Sequence, residues 1–229
     1  NQAFLMLMDF WAKQLKLQGL WDKHPRFMIK TTASAISWDE WAKKQGVKVV
    51  SVPVGFKEIA NIMKKVELKL KNSPEKEIII DDVFGTPINL GINPRLLFGG
   101  EESGGMIMGT EELITSLAGR KAIAMREKSA TEAIIVASAL ISKLQKAQVS
   151  LSEYLVEIFK ENDIIGRYDT RVDIAYYNES EPDINKLKAD KVAGEAKRTK
   201  NDLFYLSMAM GVKEGLMTIE DVREVLNDT

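Results

Sequence analysis

The sequence predicts an α/β domain with a mostly parallel sheet flanked by helices, followed by a mainly helical C-terminal extension. Short runs rich in β-branched and aromatic residues, at 27–29, 47–54 and 77–82, are typical of buried strands. Between these runs, apolar residues recur every three to four positions, which is the period of an amphipathic helix. Because strands alternate with helices, we expect most strands to run parallel.

The first predicted helix carries an apolar stripe that we interpret as part of the core. Gly19 and the polar segment 22–25 end this helix, and the run 27–29 follows as a short buried strand that continues into Lys30 and Thr31. The stripe consists of Phe4, Leu7, Met8, Trp11 and Leu15.

The second predicted helix begins with the pattern of a capping box, in which Ser37 and Glu40 cap each other's backbone. Gly46 ends this helix, and the valine-rich strand 47–54 follows. A third helix is predicted from the spacing of its apolar residues and ends before the strand at 77–82. Those apolar residues are Ile59, Ile62, Met63 and Val66.

The last elements predicted for the domain are one strand and two helices. The strand covers residues 95–98. Thr110 is expected to cap a short helix that Gly119 ends, and Ser129 is expected to cap a long one. The long helix contains Ile134, Ile135, Ala137, Ile141 and Leu144.

The composition changes after residue 147, so we divide the chain into a domain at 1–147 and a C-terminal extension at 148–229. Within the extension, the pattern predicts a helix at 151–159. The polar, lysine-rich segment 179–200 is expected to be solvated and partly mobile. The other elements predicted there are a strand at 171–177 and a closing helix from Thr218.

Composition excludes several classes of function. The 229 residues are 45% hydrophobic and 28% charged, which suits one globular domain with or without an appendage. A net charge of -1 gives no overall field that would attract nucleic acid or an anionic membrane. The single histidine, His24, excludes a histidine-rich metal site, and we place it in an exposed loop.

The cellular location follows from what the sequence lacks. It has no cysteine, which excludes disulfides and thiolate chemistry and fits a reducing compartment. It has no 18-residue apolar run and no basic leader, so we expect neither a membrane span nor a signal peptide. We therefore expect a cytoplasmic protein, and the initial Asn1 in place of Met indicates a fragment of a longer one.

Segment 98–105 carries the strongest functional signal in the chain. It sets Glu101, Glu102 and Ser103 among four glycines, so polar side chains and bare backbone can approach a small polyhydroxylated ligand. The segment follows the apolar run 95–98, which places it at a strand end, where α/β domains bind their ligands. A plain glycine turn that binds nothing is the alternative.

Other segments add to this signal because they occur in a particular order. An apolar helix opens at Asn1-Gln2, and the segments 30–34 (KTTAS), 54–59 (VGFKEI), 100–104 (GEESG) and 126–128 (REK) follow. In this order and spacing, residues 1–146 resemble the third, sugar-binding domain of the α-D-phosphohexomutases, the phosphoglucomutase/phosphomannomutase family.

The resemblance implies that the loop containing Gly100, Glu101 and Ser103 binds sugar hydroxyls. An ionised carboxylate accepts hydroxyl hydrogen bonds, and a serine both donates and accepts them. For Glu102, substrate binding and a solvated or backbone-capping carboxylate remain alternatives. Gly105 stands where some members of the family carry histidine, which leaves the preferred hexose open.

The resemblance also assigns roles to basic residues at two turns. Lys57 is expected to reach a phosphate at a helix N-terminus, and a surface lysine in the first turn is the alternative. Arg126 is expected to contact substrate. Lys128 is the candidate catalytic residue, for proton transfer or phosphate contact. An exposed, charged helix start is the alternative for both residues.

By the same resemblance, the parent protein is a phosphohexomutase that binds hexose phosphates. It would interconvert hexose 1-phosphate and hexose 6-phosphate through a phosphoserine, with hexose 1,6-bisphosphate as intermediate or activator. Mg²⁺ would be its cofactor, held by residues outside this chain, and the other domains of the parent would be partners. The rival hypothesis is a non-catalytic sugar-phosphate-binding or interaction module.

Two segments look catalytic but are better interpreted otherwise. Thr32-Ala33-Ser34 echoes the phosphoserine loop of the family but lacks the His-Asn-Pro that follows it there. Asp81-Asp82 lacks the D-x-D-x-D pattern of the family's metal loop, so we interpret it as a strand end. The family's C-terminal phosphate loop, R-x-S-G-T-E, is also absent. We therefore expect no turnover from this chain alone.

Overall fold

A computed structural model describes residues 1–117, 119, 121–165 and 218 of the chain. The residues it describes up to 165 belong to one compact unit, Asn1–Asp169. The strand predicted at 171–177, the polar segment 179–200 and the closing helix after Thr218 lie outside the described residues.

Over residues 1–165 the fold is α/β, as predicted. In chain order its elements are α1 (Gln2–Leu17), a 3-10 helix (Trp21–Lys23), β1 (Arg26–Thr31), α2 (Ser37–Gln45), β2 (Lys48–Val52), α3 (Phe56–Asn72), β3 (Glu77–Asp81), β4 (Pro87–Ile92), β5 (Arg95–Gly100), β6 (Met106–Met108), β7 (Ile114–Thr115), β8 (Lys121–Ala122), α4 (Ala130–Ala147) and α5 (Leu151–Glu161).

The central sheet is mixed but mostly parallel. Its strand order is β2-β1-β5-β6, with β1 parallel to both of its neighbours and β6 antiparallel to β5. The chain moves outward from β1 to β2 and then crosses to the other side of β1 to form β5. A crevice at the carboxyl ends of β1 and β5 is expected from this reversal, and open α/β sheets bind ligands in such crevices.

Helices cover both faces of the sheet. α1, α2, α4 and α5 share one core cluster, and α3 shares the other with the β3–β4 hairpin. A bulge in β5 changes the usual alternation of side chains between the two faces: Phe27 pairs with Leu96 and Met28 with Phe98, which leaves Leu97 as the extra residue. Leu96 packs in the α3 cluster, and because of the bulge the consecutive residues Leu97 and Phe98 both pack in the opposite one.

A buried carboxylate ties three helices together on the first face. Asp9 of α1 is 1% exposed and accepts hydrogen bonds from Trp41 of α2 at 3.0 Å and from the Tyr154 hydroxyl of α5 at 2.7 Å. Lys13 lies 3.0 Å from the same carboxylate. These partners satisfy a charge that would otherwise be costly to bury.

Most helices and strands predicted from the sequence are confirmed. Gly46 ends α2 in the left-handed conformation, with φ 72°. Ser129 caps α4 by accepting the Glu132 N–H at 3.2 Å, and the helix predicted at 151–159 corresponds to α5. Asp81 ends β3, and Asp82 begins the hairpin turn by accepting N–H groups of the residues that follow it.

Two predictions about helices are wrong. α2 begins at Ser37 itself, and its N-cap is Ile36, so Ser37 is the first residue of the helix and not its cap. The segment after Thr110 forms β7, paired with β8, instead of a helix. The Thr110 hydroxyl donates to Glu112 O at 2.6 Å and to Ile123 O at 3.3 Å instead of capping a helix.

In the described part of the chain, no helix is both long enough and apolar enough to cross a membrane.

Candidate functional site

The glycine-rich loop is the turn of the β5–β6 hairpin. The Glu101 N–H donates to Gly105 O at 2.9 Å, and the Gly104 N–H donates to Glu101 O at 3.3 Å. Gly104 has φ 109°, a conformation that other residues rarely adopt. Gly100 is the buried last residue of β5, so the turn begins at a carboxyl end of the sheet, as the sequence predicts.

Glu101 and Lys128 form an ion pair at this edge. Their oxygen and nitrogen lie 2.6 Å apart, and their side chains are 5% and 51% exposed respectively. The Ser129 N–H donates to Met106 O at 2.9 Å, which holds the residues before α4 beside the hairpin. The ammonium of Lys128 also lies 5.7 Å from the ring centroid of Phe56, the first residue of α3.

The ion pair favours one of the two chemical roles considered for Lys128. The hydrogen bond to Glu101 raises the pKa of Lys128 above its ordinary value. A lysine with a raised pKa is an ammonium at neutral pH, suited to neutralising a phosphate. It is less suited to accepting a proton, since a base needs a pKa near the working pH.

Glu102 turns toward the neighbouring strand. Its carboxylate accepts a hydrogen bond at 2.9 Å from Thr31, the last residue of β1. The Thr31 and Ser34 hydroxyl oxygens are 3.0 Å apart. Consecutive residues of the turn, Glu101 and Glu102, therefore interact with different elements.

The remaining predicted residues lie around this turn with different partners. Ser103 is exposed at the tip, between the two glutamates and Gly104. Lys57 is exposed in the first turn of α3, which follows β2 and so begins at the same edge of the sheet. Their roles in substrate binding stay predictions.

The side chain of Arg126 is paired with a residue of α3. Its guanidinium forms an ion pair with Glu67, which lies about three turns further along α3 than Phe56. The same carboxylate accepts the Ile123 N–H at 3.1 Å. Substrate contact by Arg126 stays a prediction, and its half-exposed guanidinium has further N–H donors besides the one that meets Glu67.

Sequence reasoning missed the part that Glu67 plays. Its side chain is 6% exposed, and it falls in the apolar stripe of α3, four residues after Met63 and three before Leu70. A carboxylate on the buried stripe of a helix requires a partner elsewhere in the fold. That signal was available in the sequence, although the identity of the partner was not.

The described residues offer no fit for the expected Mg²⁺. Across these residues, no three histidine, aspartate or glutamate side chains come together in a way that could hold a metal ion. His24 is half-buried near Arg95 and Arg26, and burial lowers its pKa.

Comparison with known proteins identifies one family. Residues 2–161 match the family model described as phosphoglucomutase/phosphomannomutase, α/β/α domain III. No curated protein matches the chain. One solved structure that resembles it is a Thermus thermophilus protein assigned as a phosphomannomutase, with 18% identity and a TM-score of 0.38. That match covers 69% of this chain and 25% of the Thermus chain, so our chain spans about a quarter of that protein.

Proposed function

We propose a function from one premise: the chain belongs to the phosphoglucomutase/phosphomannomutase family, as its α/β/α domain III. It supplies the sugar-recognition part of a phosphohexomutase that interconverts hexose 1-phosphate and hexose 6-phosphate. The phosphoserine and the Mg²⁺ ligands belong to other parts of the parent protein. This chain holds the hydroxyls of the sugar while the phosphoryl group is transferred elsewhere.

The observation that carries the proposal is the ion pair of Glu101 and Lys128 beside the exposed Ser103. The Glu101 carboxylate and the Ser103 hydroxyl can bond to neighbouring hydroxyls of one sugar ring. The Lys128 ammonium, half exposed, can contact a phosphate. Lys57 and the N-terminus of α3 add positive potential at the same edge.

This arrangement suits a substrate that must bind in two orientations. A bisphosphorylated hexose presents a phosphate at either end, and its reaction requires each phosphate in turn to face the phosphoserine. Hydrogen bonds to hydroxyls near the middle of the ring can form in both orientations. Catalysis of phosphoryl transfer depends on such positioning and on neutralising charge.

The proposal is tested by titrating the 229-residue chain with glucose 1,6-bisphosphate while its backbone amides are followed by NMR. We expect the amide signals of the 100–105 turn, Lys57 and Lys128 to shift together. Glucose alone and inorganic phosphate alone should shift them less, because each offers half of the recognised groups. Mannose 1,6-bisphosphate, titrated in parallel, measures the preference between the two sugars.

Matched variants make the titration specific. Ser103→Ala should weaken binding about three- to tenfold through the loss of one hydrogen bond. Ser142→Ala, on the exposed surface of α4, is the control and should leave binding unchanged. Binding that is unaffected by Ser103→Ala, or shifts confined to other surfaces, would overturn the proposal. Binding without activity in the full-length parent would favour the rival hypothesis of a non-catalytic module.

A further inference from the structure

The turn that follows β1 brings two hydroxyls together in the interior. The Ser34 N–H donates to Thr31 O at 3.0 Å, which closes a turn over 31–34. Thr31 is 0% exposed and Ser34 is 5% exposed, and their hydroxyl oxygens lie 3.0 Å apart. This segment resembles a nucleophile loop in sequence, but in the fold its hydroxyls face a glutamate.

The chemistry of the partners fixes the direction of these hydrogen bonds. The Thr31 hydroxyl lies 2.9 Å from a carboxylate oxygen of Glu102, and an ionised carboxylate can only accept. Thr31 therefore donates its proton to Glu102. Its oxygen is then free to accept from Ser34, which makes Ser34 the donor in that pair. The result is a chain of hydrogen bonds from Ser34 through Thr31 to Glu102.

The chain of hydrogen bonds crosses the sheet where the strand order reverses. Lys30 pairs in register with Gly100, so Thr31 and Glu102 lie just beyond the paired ends of β1 and β5. Glu102 sits between Glu101 and Ser103, the two residues proposed to bind sugar hydroxyls. Lys128 holds Glu101 on one side of the turn, and Thr31 holds Glu102 on the other.

We propose that Thr31 is a positioning residue that fixes the sugar-binding turn through Glu102. In this proposal, the hydrogen bond between Thr31 and Glu102 anchors the turn, and Glu102 does not itself bind the sugar. The proposal rests on the function proposed above for the 100–105 turn. Such an anchor limits the conformations of Ser103 before the ligand binds, so less conformational entropy is lost on binding.

The test compares near-isosteric variants in the 229-residue chain. Thr31→Val keeps the shape of the side chain and removes the hydroxyl, Thr31→Ser restores the hydroxyl, and Thr32→Val is the neighbouring control. Two quantities are measured for each variant: the affinity for glucose 1,6-bisphosphate, and the nanosecond mobility of the Ser103 and Gly104 amides from NMR relaxation without ligand. Thermal unfolding of each variant reports loss of the fold separately.

We expect Thr31→Val to increase the mobility of both amides and to weaken binding about three- to tenfold. Thr31→Ser should recover both quantities to within about twofold, and Thr32→Val should change neither. Glu102→Ala should also increase the mobility of both amides. The effect of the double variant should be smaller than the two single effects combined, because each single variant already removes the bond between Thr31 and Glu102.

Each remaining outcome decides a different question. A turn that stays rigid in Thr31→Val overturns the positioning role, whatever happens to binding. Effects of Thr31→Val and Glu102→Ala that multiply would also overturn it, because the two residues would then act separately. If the wild-type chain binds no bisphosphate while Thr31→Val still mobilises the turn, the positioning role holds and the proposed function fails.

Discussion

The ammonium of Lys128 lies 2.6 Å from the carboxylate of Glu101, although 27 positions separate them in the chain. The pair joins the hairpin turn after β5 to the segment that opens α4. Glu101 is buried and Lys128 is half exposed, so the two residues do not depend on the ion pair to the same degree. Glu101 depends on Lys128 to compensate a buried charge, whereas Lys128 can exchange its partner for water or a phosphate.

This asymmetry predicts the behaviour of a double-mutant cycle. Lys128→Met should lower the free energy of unfolding by about 1–2 kcal/mol, since it leaves the Glu101 charge uncompensated. Glu101→Gln in the same chain should recover part of that loss, because the neutral amide needs no counter-charge. Urea unfolding measures the stability of the single and the double variant, and Lys64→Met, on the exposed side of α3, is the control. Additive effects in the cycle would contradict the pairing.

Gly105 is predicted to control the same ion pair. A Cβ at this position would lie 2.8 Å from the Glu101 carboxylate oxygen and 2.8 Å from Lys128 Cε. Gly105→Ala should therefore displace the lysine, and the pKa of Lys128 should fall toward its ordinary value. Nitrogen NMR of the lysine side chains follows this pKa directly. An unchanged Lys128 titration would show that the turn absorbs the methyl group without breaking the pair.

A third prediction concerns Glu67 and the segment before α4. Glu67→Ala should cost about 1–3 kcal/mol of unfolding free energy, because the buried Ile123 N–H loses its acceptor. Glu67→Gln should cost less, since its amide oxygen can still accept that bond. Glu58→Ala, on the same helix and bonded to the exposed Asn61, is the control for urea unfolding. Equal losses for the Gln and Ala variants would exclude the Ile123 bond as the cause.

Turnover provides a fourth prediction, which requires the full-length parent. Glu101→Gln and Ser103→Ala should each lower kcat/KM about ten- to a hundredfold, whereas Glu102→Gln should lower it less, because its amide can still accept from Thr31. The 229-residue chain by itself should show no mutase activity. A coupled assay for glucose 6-phosphate measures both. If Glu102→Gln were the most damaging of the three, the assignment of Glu101 and Ser103 to the hydroxyls would be wrong.

The elements predicted correctly from the sequence are those with a strong local period or a specific cap. α3 follows its apolar spacing, and Ser129 caps α4 as its residue type suggests. The helix expected after Thr110 does not form, because the backbone N–H and the hydroxyl of Thr110 both bond to the distant carbonyl of Ile123, and these bonds override local preference. β4 was missed, although Asp82 and Gly85 carry the turn chemistry of a hairpin.

The candidate site was only partly predictable for a different reason. The position of the glycine loop at a strand end follows from local order along the chain. The partners of its side chains do not, because each one comes from another part of the chain: Lys128 from the segment just before α4 and Thr31 from the end of β1. Which strands are neighbours decides these contacts, and strand order is a property of the whole sheet.

The last prediction concerns the stability of the chain at alkaline pH. Burial, together with the nearby Asp9 carboxylate, raises the pKa of Tyr154 well above its ordinary value. The folded chain therefore keeps this proton at a pH where the unfolded chain releases it. The stabilisation from Tyr154 is fully present below about pH 10, the ordinary value for tyrosine. It is lost as the pH rises further, at up to about 1.4 kcal/mol per pH unit.

Tyr154→Phe separates this titration from the hydrogen bond that the tyrosine makes. At pH 8 the variant should be about 1–2 kcal/mol less stable than the wild type, because Asp9 loses a buried donor. Between about pH 10 and 11 the difference should shrink, since the variant has no proton to lose at this position. Urea unfolding across this pH range gives the comparison, and Lys13→Met in both backgrounds removes the neighbouring lysine's titration. A difference that stays constant with pH would show that the pKa of Tyr154 is the same in the folded and the unfolded chain, and would contradict this prediction.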